Sequence, residues 1–138
     1  MKKGIYHYTY LVLIISCSSF AFYIYNKGKN TLQLPQLKDR NNALSQAADW
    51  TNVQKTTTQL LTEIKNKPGQ NKMYLALAKE YLQEGRVSGN FSYYNGACLE
   101  LIDHVLNKEP KNLDALCLKG TVLMSQHRFE ECKQLMQG

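Results

Sequence analysis

Apolar side chains recur at helical spacing from Ala43 to the C-terminus. Val53, Thr57, Leu60, Leu61 and Ile64 fall on one face, and "NKPGQN" at 66–71 ends that run. A second run places Tyr74, Leu77, Ala78 and Tyr81 on one face, and the glycines of "GRVSGN" at 85–90 predict its interruption. The third has Ala97, Cys98, Leu101, Ile102 and Val105 as its stripe and stops at "NKEPKN", residues 107–112. A fourth carries Leu113, Leu116, Gly120 and Leu123, breaks at "SQHR", and gives way to a fifth beginning at Phe129. The pattern predicts an all-α domain over 43–138.

Upstream the pattern changes twice. Residues 27–42, "KGKNTLQLPQLKDRNN", are polar, hold Pro35, show no sustained period and read as a linker. Residues 1–26 form a different segment, uncharged between Lys3 and Lys27 and mostly apolar. It is long enough to span a bilayer, which takes about 20 apolar residues. Tyr6, Tyr8 and Tyr10 at one end and Tyr23 and Tyr25 at the other fit interfacial aromatic belts. A signal-peptide reading takes "MKK" as a basic leader and Ile5 to Ser16 as a short apolar core. Ile14-Ile15-Ser16-Cys17 resembles a bacterial lipobox, which implies cleavage before Cys17 and a lipid on its sulfur. The apolar run from Phe20 to Tyr25 departs from the polar tether usual after a lipidated cysteine. Under either reading the basic N-terminus stays cytoplasmic and the helical domain is exported.

The helical runs repeat in register. Pro68 and Pro110 are 42 residues apart, as are Tyr74 and Leu116, Ala78 and Gly120, and Tyr81 and Leu123. Cys98 and Cys132, however, are 34 apart, as are Ile102 and Met136. The offsets agree if the unit is 34 residues and its first copy holds an 8-residue insertion near 85–92, "GRVSGNFS". Such a unit resembles the tetratricopeptide repeat (TPR) family. The matching residues are large–small–large triplets on helix A, a small residue on helix B at Cys98 or Cys132, and the closing Pro110. The triplets are Tyr74, Ala78, Tyr81 and Leu116, Gly120, Leu123, and Lys119 departs from the pattern where the first copy has Leu77. The resemblance implies antiparallel helix–turn–helix repeats in an α-solenoid behind the N-terminal apolar segment. Residues 43–70 would be a preceding helix, 71–112 a repeat with its insertion, and 113–138 an incomplete repeat. Such an array needs a neighbour or a cap over its last apolar face. The chain therefore reads as a truncated version of a longer array, or as one whose last helix a partner covers.

Charge narrows the functional classes. Residues 1–40 hold six basic side chains against Asp39, a net +5, whereas 41–138 hold 11 basic and 10 acidic ones, a net +1. A nearly neutral helical body argues against nucleic-acid binding, and a basic arm beside an apolar segment fits a membrane surface.

Candidate chemistry is sparse. His7, His104 and His127 lie in separate elements without metal-ligand spacing and read as surface or helix-end residues. No CxxC is present, and Cys98 and Cys132 read as small packing residues, about 10 Å apart if they sit one repeat apart, too far for a disulfide. Glu80 with Glu84, and Glu130 with Glu131, read as solvated helix faces. Phe91, Tyr93 and Tyr94 of "NFSYYNG" read as aromatics at or near a loop that cap the helix pair. The sequon Asn90-Phe91-Ser92 is a triplet common by chance. The expectation is no enzyme, cofactor, metal or small-molecule substrate.

The TPR resemblance implies a non-catalytic scaffold for a protein or peptide partner, membrane-tethered on the exported side of a bacterial envelope. By that resemblance Lys72, Leu75, Lys79, Asp114, Cys117 and Thr121 would line the concave face of the A helices. The alternative is an accessory subunit of an envelope enzyme or transport complex, docking through Phe129, Leu135 and Met136 on the last helix.

Overall fold

A computed structural model describes residues 12–21 and 32–137, with backbone alone for Asn42 and Ala43. The chain divides into two units, Met1–Gln33 and Leu34–Gly138. In the first, residues 12–21 are helical and every one is exposed, including Val12, Leu13, Ile14, Ile15 and Phe20. Among the described residues no helix is long and apolar enough to cross a membrane. The remainder of the expected anchor, residues 1–11 and 22–26, lies outside the described residues.

The second unit is helical, with no strand among its described residues. Its elements are α1 (Asn42–Ser45), α2 (Trp50–Asn66), α3 (Asn71–Ser88), α4 (Phe91–Lys108), α5 (Leu113–Ser125) and α6 (Phe129–Gln137). The first helix expected from Ala43 is thus a single turn followed by a fresh start at Trp50. Consecutive helices pack on one another from α2 to α6, and α3 also touches α5. The core is drawn from α2 to α5, with Leu77, Ala78, Tyr81, Cys98, Leu101, Ile102, Val105, Ala115 and Val122 fully buried. Those residues recur at three- and four-residue intervals, so one stripe of each helix enters the core.

Two turns share one geometry. Lys67 and Glu109, each preceding a proline, leave their helices near φ −135°, ψ 70° and φ −130°, ψ 78°. A following proline disfavours helical backbone at those positions. Each N–H still donates to the carbonyl four residues back, Glu63 and Val105, at 2.8 Å. Each carbonyl accepts from the N–H three residues on, Gln70 and Asn112. Asn112 then caps α5, its side chain accepting from the Ala115 N–H at 3.0 Å.

The expected loop at 85–92 is absent. Helix α3 runs through Gly85 to Ser88, only Gly89 and Asn90 leave helical geometry, and α4 begins at Phe91. Gly89 takes the left-handed conformation, φ 73°, that ends a helix with little strain only in glycine. The extra residues lengthen both helices instead: α3 runs ten residues past Ala78 where α5 runs five past Gly120. Likewise α4 starts seven residues before Cys98, but α6 only three before Cys132. Added helical turns satisfy their own backbone hydrogen bonds, which a loop of that length would leave to solvent. Gly85 is retained inside α3 because a Cβ there would sit 3.1 Å from the Tyr94 Cβ. Gly85 opposes Tyr94 while Ala78 opposes Cys98, so the two helices are antiparallel.

Candidate functional site

The six residues expected to share a partner-binding face are not all exposed. Lys72 and Lys79 on α3 are exposed, as are Asp114, Cys117 and Thr121 on α5. The Thr121 hydroxyl donates back to the Cys117 carbonyl at 3.0 Å. Leu75, expected on that face, is instead 6 % exposed and part of the core, on the helix against which α2, α4 and α5 all pack. Lys119, the departure from the repeat pattern, is half-buried and pairs with Asp103 of α4 at 2.8 Å.

The small residues of the repeat pattern meet each other. The buried Cys98 thiol donates to the Ala78 carbonyl at 3.0 Å, and burial pushes its pKa up to about 12. Cys132 occupies the corresponding place against Gly120, with its sulfur 3.8 Å from that carbonyl. Tyr74 and Leu123 are buried and Leu116 is half-buried, while Pro110 lies exposed in its turn. All four cysteines are free. Cys17 is exposed on the helical segment 12–21.

On α6, Phe129 and Met136 are exposed and Leu135 half-buried, and no residue of the helix is fully buried. Cys132 is half-buried, and the Met136 methyl also reaches toward Gly120. Arg128 forks onto Glu131 through Nε and Nη2, at 2.7 and 2.6 Å.

The main departure from the sequence reading concerns the linker and Glu84. Residues 34–40 lie against the helices. The Tyr81 hydroxyl donates to the Pro35 carbonyl and that of Tyr93 to the Gln36 carbonyl, both at 2.6 Å. The Tyr94 hydroxyl accepts from the Lys38 N–H at 3.1 Å and donates to its carbonyl at 3.3 Å. The Lys38 ammonium rests 3.8 Å above the Tyr93 ring. Tyr93 and Tyr94 lie in the first turn of α4, just past the turn at Gly89 and Asn90.

Arg40 ends this segment with its side chain 1 % exposed. Its Nε and Nη2 fork onto the Glu84 carboxylate at 2.9 and 2.7 Å. Its Nη1 and Nη2 fork onto Asp49 at 3.1 and 3.0 Å. The guanidinium also stacks over Trp50 at 4.8 Å. Glu84 is buried, not on a solvated face as the sequence suggests, because an arginine 44 residues away satisfies it. Hydrogen bonding to the two carboxylates raises the Arg40 pKa further, and Arg40 holds the Asp49 carboxyl below its usual range.

His104 is not a free surface residue either. Its ring stacks on Tyr74 at 4.5 Å, its Nε2 is buried without a hydrogen-bond partner, and burial with nearby Lys108 lowers its pKa. Among the described residues no group of three or more His, Cys, Asp or Glu side chains converges to hold a metal. No protein-family profile, characterised protein or solved structure matches this chain.

Proposed function

We propose that the chain is a non-catalytic, TPR-like helical scaffold, tethered to a bacterial envelope membrane by its N-terminal segment and holding a protein or peptide partner on the exported side. The observation that carries this reading is one packing relation made twice. Cys98 meets Ala78 on the first helix pair and Cys132 meets Gly120 on the second, through positions 20 and 12 residues apart. The 8-residue difference is the length the sequence offsets require. The paired proline turns and the α3–α5 contact support the same arrangement, since successive A helices touch in a stacked solenoid.

The face offered to a partner would be Lys72 and Lys79 with Asp114, Cys117 and Thr121, all exposed. A second reading, docking through α6 as an accessory subunit, is favoured by exposed Phe129 and Met136. Photo-crosslinking residues placed singly at Lys79, Thr121 and Phe129 in native membranes separate the two. The scaffold reading expects one partner joined from both Lys79 and Thr121. Adducts from Phe129 alone would favour the second. Intact mass of the membrane-extracted chain tests the tether: loss of the first 16 residues plus acyl chains means a lipid on Cys17, and the uncleaved mass means a spanning helix. Recovery in the soluble fraction would refute either anchor.

A further inference from the structure

We propose that the end of the α3–α4 pair is a recognition site for an extended peptide segment bearing one arginine, and that residues 34–40 occupy it as an exchangeable in-chain ligand. This does not depend on the scaffold reading.

The division of labour at the contact resembles peptide recognition more than core packing. The hydroxyls of Tyr81, Tyr93 and Tyr94 all bond to the segment's main chain, at Pro35, Gln36 and Lys38. Main-chain contacts of that kind supply affinity to an extended strand with little demand on its sequence. Selectivity falls to Arg40, which uses four of its five N–H donors on two carboxylates and its flat face on Trp50. A lysine is a point charge and cannot fork onto two carboxylates while stacking on a ring.

The segment adds no fully buried apolar side chain, although Leu34, Pro35 and Leu37 are half-buried. No side chain of 34–39 is among the buried apolar residues, which begin at Trp50. It has no helix of its own to lose on leaving. What it would leave behind is Glu84, a buried carboxylate that is costly without a cation. An empty cleft therefore attracts an arginine. Tyr93 and Tyr94 belong to the first turn of α4, which lies beyond the length of α6, and Tyr94 packs against Gly85 of α3. The longer first helix pair thus builds the platform that the second lacks.

The test inserts a protease-recognition sequence between Ser45 and Gln46 of the full chain in detergent and cuts it after folding. The N-terminal fragment should stay bound, then be displaced by excess peptide spanning 32–42 while circular dichroism holds steady. The same peptide carrying Arg40→Ala should bind at least about 100-fold more weakly, as expected for leaving a buried carboxylate unpaired. Loss of helicity on displacement would make the segment an integral part of the fold and overturn the proposal. So would failure of the peptide to displace the fragment, or equal binding of the Arg40→Ala peptide. The uncut chain gives a second measurement: fluorescent peptide should bind the Arg40→Ala variant and not wild type. Binding to both or to neither would overturn the proposal.

Discussion

Arg40 illustrates how a single side chain can change the character of the polar segment that carries it. A carboxylate as buried as Glu84 is tolerated only when paired and hydrogen-bonded, and removing one partner of such a pair is far costlier than the pair's net worth. Arg40→Ala should lower the free energy of unfolding by about 3 kcal/mol, measured by urea denaturation. Glu80→Ala, on a half-exposed position of the same helix, should change it by less than about 0.5 kcal/mol. His104 should add a pH dependence. Its folded-state pKa lies below the ordinary value, so the unfolded chain takes up the proton more readily. Its stabilising contribution is complete above about pH 6.5 and is lost as the pH falls below that. Between about pH 7.5 and 5.5 the denaturation midpoint should fall, and His104→Phe should flatten that part of the slope.

At the scale of the element, the glycines separate helix propensity from packing. Gly96 lies inside α4 with open space where a Cβ would be, so Gly96→Ala should stabilise by about 0.5–1 kcal/mol. Gly85→Ala gains the same propensity but drives a methyl against the Tyr94 Cβ at 3.1 Å, which is fixed to the α4 backbone. The expected net effect is a loss of about 1–3 kcal/mol. Gly120 would meet the Met136 methyl at 3.0 Å, but that is the end of a flexible, exposed side chain. Gly120→Ala should therefore be neutral or mildly stabilising. Thermal denaturation of the three variants checks the ranking, and destabilisation by Gly96→Ala would contradict the open space beside it. The close approach is thus more stringent at Gly85 than at Gly120.

Across the whole molecule, burial is graded. Helices α3 and α4 supply most of the buried side chains, whereas α6 has none. Local opening costs least where few apolar contacts are lost. Amides of α6 should exchange with deuterium at least about 100-fold faster than those near Leu77 and Leu101. Uniform protection would mean that another surface covers α6. In the separate helical segment 12–21 every residue is exposed, Val12, Leu13, Ile14, Ile15 and Phe20 among them.

The helices and most of their limits were legible in the chain alone. The 3.6-residue period is a local property, and Pro68, Pro110 and Gly89 act on the backbone beside them. Ala78 and Cys98 stand out in the chain as small residues, but that they face each other is visible only in the fold. Tertiary packing decided the rest. Eight additional residues are compatible with either a loop or two longer helices, and the choice depends on whether Tyr94 finds Gly85 opposite it. Leu75 carries no mark that says which neighbouring helix covers it. Arg40 and Glu84 look solvated in their local sequence, since charge pairing across 44 residues exists only once the segment and the helix end have met.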